Sequence, residues 1–170
     1  MAVNYFGTLH LIRAVLPTMR AHDGGRIVLV ASGAALIGLY GYSSYAPSKF
    51  AVRGLAEALR SEFVPERVAV SVVYPPDTDT PGYREELRHR SEISNRLAGA
   101  GGLMTAEAVA AAILRGIKRG RFVIAPGASM AALVRLHSVA APIMHRFWFD
   151  PLIARLHRRS ATEAHADIKH

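Results

Sequence analysis

Apolar residues recur along this chain with two alternating periods, one helical and one strand-like. Between Ala2 and Arg20 they fall at Leu9, Ile12, Val15, Leu16 and Met19, the spacing of one helix face. That segment runs out in the turn Ala21-His22-Asp23-Gly24-Gly25. Arg26 to Ala31 is an uninterrupted aliphatic run, the composition of a parallel strand covered on both faces. After a glycine-containing loop, Tyr45 to Phe63, with Phe50, Leu55, Ala58 and Leu59, predicts a long helix that Pro65 closes. Val68 to Tyr74 predicts a second buried strand, stopped by Pro75 and Pro76. Beyond a polar stretch, Thr105 is a predicted N-cap with Glu107 in the first turn of an Ala-rich helix that ends between Gly116 and Gly120. Phe122 to Ile124 predicts a short third strand.

Strands alternating with helices predict an α/β fold with a parallel sheet, because parallel neighbours need a crossover helix. A doubly wound nucleotide-binding fold opens with a strand, a Gly-rich turn and a helix whose N-terminus holds a pyrophosphate. Nothing before Ala31 supplies that opening. The chain is therefore expected to carry the C-terminal part of such a sheet, without the N-terminal nucleotide-binding strands. Residues 1–125 are expected to form that half-domain, and 126–170 a basic, amphipathic helical extension.

Composition narrows the class. The chain has 170 residues, 51% hydrophobic and 20% charged, enough for a globular core. It contains no cysteine, which removes disulfides and thiolate metal sites. The formal charge of +8 raises nucleic acid as a partner, but the basic residues are spread over helix faces with no interleaved aromatics, and nucleic-acid binding is not expected. Met1-Ala-Val-Asn has neither the basic nor the apolar region of a secretory signal, so a cytoplasmic location is expected.

Tyr45 and Lys49 lie one turn apart on one helix face. A phenol ionises near pH ~10, too high for ready proton exchange at neutrality, and a nearby ammonium favours the phenolate. Ser32 sits at the carboxyl end of the first strand, where open α/β sheets place ligands, and its hydroxyl can hold a carbonyl oxygen while a tyrosine delivers a proton. Alone, Tyr-x-x-x-Lys is a common helix-surface pair. The ordered set of strand, Ser32, loop, Tyr45-Ala-Pro-Ser-Lys49, helix, strand and Pro75 is not something core packing requires.

On these motifs the stretch from Val3 to about Gly120 resembles the short-chain dehydrogenase/reductase family. The resemblance implies a Rossmann-like fold, a ketone-reducing activity with a nicotinamide cofactor, and a homo-oligomer. It implies Tyr45 as general acid, Ser32 as the group orienting the carbonyl, and Lys49 as the group holding the nicotinamide ribose and lowering the tyrosine pKa. Asn4, in Val3-Asn4-Tyr5-Phe6-Gly7, corresponds to an asparagine that anchors a relay water. The family's Pro-Gly lining the nicotinamide corresponds to Pro75-Pro76, whose second proline departs from it. Thr78 stands where Val or Ile is common, and Thr80 matches the usual threonine. Together with Lys49 to Leu59, Tyr74 to Gly82 is most similar to the branch that reduces the ketone of a long-chain sphingoid base with NADPH.

The C-terminal stretch holds two helical patterns, Ala131 to His137 and Pro151 to Arg159, around Pro142 and the cluster Phe147-Trp148-Phe149. Charged residues and Pro142 interrupt it too often for a membrane span. Two readings stay open: an interfacial helix that makes peripheral membrane contact, and a helix pair packed on the domain or on a second copy. A truncated, non-catalytic module is the alternative to the enzyme.

Overall fold

The computed structural model describes residues 1–22, 24–98 and 102–167, with side chains followed to 158. Asp23 of the predicted turn and the Arg159 side chain lie outside the described part. Helix α1 (Thr8–Ala21) leads into β1 (Gly25–Val30), α2 (Ala46–Glu62) and β2 (Val68–Val73). Then come β3 (Asp77–Asp79), α3 (Pro81–His89), α4 (Glu92–Ala98), β4 (Leu103–Thr105), α5 (Ala106–Lys118) and β5 (Val123–Ile124), followed by α6 (Ala128–Met144) and α7 (Asp150–Asp167).

One parallel sheet has the order β1-β2-β5, with Gly25 opposite Val68 and Val73 opposite Ile124. This is the parallel α/β arrangement that the alternation predicts. The sequence pattern does not predict the second parallel pair, β3 with β4, because three-residue strands are too short to show a period.

Strand β2 is central, and Ser71, Val72 and Val73 are wholly buried. Ser71 Oγ accepts from Arg26 and donates to the Arg121 carbonyl, so the buried hydroxyl is satisfied. Around β2 the core gathers Ile27 and Leu29 of β1, Val52, Ala56 and Leu59 of α2, and Ile12 of α1. Each such aliphatic burial contributes roughly 1.5–3 kcal/mol. Strand β1 departs from the expectation of cover on both faces. Ile27 and Leu29 are buried, but Val28 is half-buried and Val30 exposed, so the second face of β1 lacks full cover among the described residues.

The first helical segment is divided. Ala2–Gly7 is wound as a π-helix before α1 begins, and Thr8 Oγ1 donates to the Asn4 carbonyl at the junction. The polar stretch after β2 is helical: Thr80 caps α3 by accepting from Tyr83 N–H, with Pro81 at the first helical position. Thr105 caps α5 as predicted, accepting from Ala108 N–H. Helix α5 meets β5 closely at Gly116, where a Cβ would stand 2.7 Å from Ile124 Cγ1. Helices α6 and α7, joined by a π-helical turn at His145–Phe149, bring Met130 and Phe149 into the same core cluster as Leu29. Among the described residues no helix is long and apolar enough to cross a membrane.

Candidate active site

The carboxyl end of β1 opens into the site. Ala31 N–H continues the ladder by donating to the Val73 carbonyl, and Ser32 follows in extended conformation as the cap of the short 3₁₀ turn Gly33–Ala35, its Oγ accepting from Ala34 N–H. The loop returns at Tyr42, whose carbonyl accepts from Ala46 N–H, and Tyr45 then stands at the N-cap position of α2 with Lys49 in the first turn. Buried Ser48 fixes this turn: its Oγ donates to the Tyr45 carbonyl at 2.6 Å and accepts from Asn4 Nδ2 at 2.9 Å. Asn4 thus joins the first helical segment to α2 behind the tyrosine.

Ser32, Tyr45, Pro75, Pro76, Thr78 and Thr80 line one cleft of about 770 Å³. Asn4 and Lys49 do not line it; they stand behind Tyr45. Lys49 Nζ donates to the Val30 carbonyl and lies 5.6 Å from the Tyr45 ring centre. Thr78 Oγ1 donates to the Pro76 carbonyl, so its side chain stabilises the loop, while Thr80 caps α3.

The Tyr45 phenol is shifted up, the direction opposite to that expected from Lys49. Burial is the largest cause; a hydrogen bond with Ser32 pulls down, and the Glu86 and Asp77 carboxylates push up again. Burial holds the Lys49 pKa below the usual ammonium value.

The carboxylates belong to a cluster that the motifs do not reveal. Arg90, its side chain 6% exposed, donates to Glu86 Oε1 at 2.8 Å and to Asp77 Oδ2 at 3.5 Å, and its guanidinium lies near the rings of Tyr42 and Tyr83. Tyr42 donates to Glu86 at 2.7 Å, and burial and that bond push its phenol well up. Burial works to raise Glu86, but the bonds from Tyr42 and Arg90 outweigh it and hold the carboxyl below its ordinary value. The i,i+4 pair Glu86–Arg90 was visible in the sequence as a helix signal, but its place beside Tyr45 follows only from the fold. The same holds for Met130, Leu133, Met144 and Phe149, which line the cleft from the C-terminal segment.

The arrangement sets two hydroxyls, Ser32 and Tyr45, at the end of a parallel strand in a cleft whose lining is largely apolar. Known proteins are similar to this chain in sequence and in fold. The short chain dehydrogenase family profile matches residues 1–91. A 3-ketodihydrosphingosine reductase of Dictyostelium discoideum is 43% identical over 160 residues, 93% of this chain and 48% of the relative. This chain spans less than half the length of the curated relatives it matches. A short chain dehydrogenase of Burkholderia cenocepacia in complex with NADP superposes with a TM-score of 0.69 at 27% identity, covering 86% of this chain and 56% of that one. An enzyme of the same type from Burkholderia phymatum, in complex with NAD, gives 0.64 at 28% identity over 79% and 54%. Profile, identity and superposition agree with one another: the chain belongs to the short chain dehydrogenase family.

Proposed function

We propose that this chain is the carbonyl-reducing half of a nicotinamide-dependent reductase, with 3-ketodihydrosphingosine or a similar long-chain ketone as substrate and NADPH as reductant. The observation that carries the reading is one cleft that combines the Ser32 and Tyr45 hydroxyls with an apolar wall from Met130, Leu133, Met144 and Phe149. The hydroxyls suit a carbonyl and the wall suits an alkyl chain. The D. discoideum relative's name supports the sphingoid ketone, and the B. cenocepacia structure supports NADP.

The residues present fit the nicotinamide-ribose end of such a cofactor. Lys49, behind Tyr45, keeps N–H donors beyond the one given to Val30, and the Pro75-Pro76 loop, with Thr78 and Thr80, walls the cleft that Tyr45 lines. When bound, the cofactor supplies a hydride. Ser32 Oγ donates to the substrate carbonyl oxygen and holds it. The Tyr45 hydroxyl, kept protonated by burial and the facing carboxylates, delivers the proton to that oxygen. Lys49 holds the ribose hydroxyls. Asn4 has Nδ2 bonded to Ser48 and its main-chain oxygen to Thr8, which leaves Oδ1 to anchor a relay water.

The same reading takes residues 1–125 as the catalytic half and 126–170 as the extension that walls the cleft. It takes the whole protein as a homo-oligomer in the cytoplasm, in peripheral contact with a membrane.

The test is NADPH consumption by the protein carrying this chain, with 3-ketodihydrosphingosine and with a short soluble ketone. Turnover of the long-chain ketone is expected; a protein that binds NADPH and reduces neither overturns the reading. The 170-residue chain by itself is expected to bind NADPH too weakly for calorimetry, because its cofactor contacts grip only one end. Micromolar binding would move the cofactor site elsewhere, whereas no turnover in any context would leave a folded, non-catalytic module.

A further inference from the structure

Two carboxylates and one guanidinium line the cleft together with Tyr45: Asp77, Glu86 and Arg90. Arg90 spans the pair, but each carboxylate commits only one oxygen to its partners. Glu86 Oε1 accepts from Tyr42 and Arg90, and Asp77 Oδ2 accepts from Tyr83 and Arg90. Glu86 Oε2 and Asp77 Oδ1 have no hydrogen-bond partner among the described residues, and one positive charge answers two negative ones. Arg90 is itself incompletely matched: its side chain is 6% exposed, yet its buried Nε has no acceptor among the described residues. A network that served only to hold α3 in place would satisfy its buried donors and balance its charges. This one is open to a ligand that is cationic and carries an oxygen.

The place of the cluster says where on the ligand the charge lies. Both carboxylates act on the Tyr45 phenol, so a group that they hold lies close to the carbonyl held by Ser32 and Tyr45. In 3-ketodihydrosphingosine the ammonium is on the carbon next to the carbonyl, and a hydroxyl is on the carbon after that. We propose that Glu86 Oε2 and Asp77 Oδ1 accept hydrogen bonds from the ammonium of a 2-amino-1-hydroxy ketone, its hydroxyl oxygen toward the Arg90 guanidinium, and thereby select amino ketones over ketones without the nitrogen. This rests on the reductase reading above and deepens it: the apolar wall takes the alkyl chain and the cluster takes the head. A bound ammonium also offsets the negative charge that opposes the Tyr45 phenolate, which favours release of the tyrosine proton once the amine is in place.

The experiment measures kcat/KM of the protein carrying this chain, with NADPH, for the amino ketone and for the ketone of the same alkyl chain and hydroxyl that lacks the nitrogen. Calorimetry with the two corresponding alcohol products, in the presence of NADP+, reads binding alone. A preference of about tenfold or more for the amino ketone is expected, and Glu86→Gln and Asp77→Asn are each expected to lower it severalfold. Both ketones use Tyr45, so a change in its proton affinity cancels from the ratio. Both substitutions keep the shape and one accepting oxygen, and the melting temperature verifies the fold. If neither variant folds, a parental preference that falls with added salt supports the ionic contact and one that does not overturns it. Equal kcat/KM for the two ketones, or a preference unchanged in the folded variants, overturns the head-group site and leaves the reductase reading standing. A protein that reduces neither ketone but binds the amino product over its nitrogen-free counterpart, a preference lost in Glu86→Gln, supports the site while the proposed activity falls. No turnover and no such preference overturns both.

Discussion

Lys49 Nζ donates to the Val30 carbonyl oxygen at 3.1 Å, tying the first turn of α2 to the last residue of β1 beside the Tyr45 ring. One ammonium therefore holds the strand end and, in the proposed complex, the ribose hydroxyls. In the protein carrying this chain, Lys49→Met is expected to raise the NADPH dissociation constant by about tenfold or more, since a hydrogen bond from a charged donor contributes roughly 1.5–3 kcal/mol. Fluorescence titration of bound NADPH measures it. An unchanged constant would make Lys49 a strand-to-helix tie and nothing more.

Tyr45→Phe separates binding from chemistry. The ring keeps its edge contact with Tyr42, and only the hydroxyl is removed. Turnover is expected to fall by about 10²–10⁴, the usual contribution of a positioned proton donor, while the NADPH dissociation constant and the melting point stay close to those of the parent. Near-parental kcat in a folded variant would remove Tyr45 from the proton path.

Glu86→Gln tests what sets the Tyr45 phenol. Burial is the largest upward push, and the carboxylates of Glu86 and Asp77 add to it. A negative charge near a phenol disfavours the phenolate, so neutralising Glu86 lowers the pKa. The reduction needs the protonated phenol, and its basic limb should therefore move to lower pH. The pH profile of kcat/KM reads this, and a limb that stays in place or rises would mean that Glu86 does not govern Tyr45. Gln keeps an acceptor for the Tyr42 hydroxyl, so the loop geometry is expected to survive.

The frame of this site was legible in the sequence because its parts are local. Ser32, Tyr45 and Lys49 are fixed by a strand end and one helical turn, and both signals lie within a few residues. The layer behind it was legible only in part. The resemblance names Asn4, but its bond to Ser48 arises only through packing of the first helical segment on α2. The carboxylates of Asp77 and Glu86 act on Tyr45 and Arg90 bridges the two, an arrangement that arises only through packing of α3 on β3, and the charged face of α3, Pro81 to His89, hides its helical period from a hydrophobic reading. Val30 illustrates the opposite error. Its aliphatic run reads as doubly buried, yet burial depends on which strands and helices flank it, and composition does not carry that information.

Phe149 ties the C-terminal helices α6 and α7 to the core around the sheet. It is 2% exposed within the core cluster and also lines the cleft, with an edge contact to His145 at 5.0 Å. Truncating a fully buried phenylalanine costs about 3–5 kcal/mol through lost transfer energy and an unfilled cavity, a large share of the ~5–15 kcal/mol that stabilises a typical domain. Phe149→Ala is therefore expected to lower the melting temperature by about 10 °C or more. Because the same ring walls the cleft, KM for the long-chain ketone should rise while reduction of a short ketone at saturation changes little. Phe147→Ala, two residues away and exposed, is the control, with an expected change within about 0.5 kcal/mol. Thermal unfolding and paired kinetics on both variants provide the measurement. Equal melting temperatures for the two would show that the extension is not part of the core, and that the wall of the cleft is not held in place by Phe149.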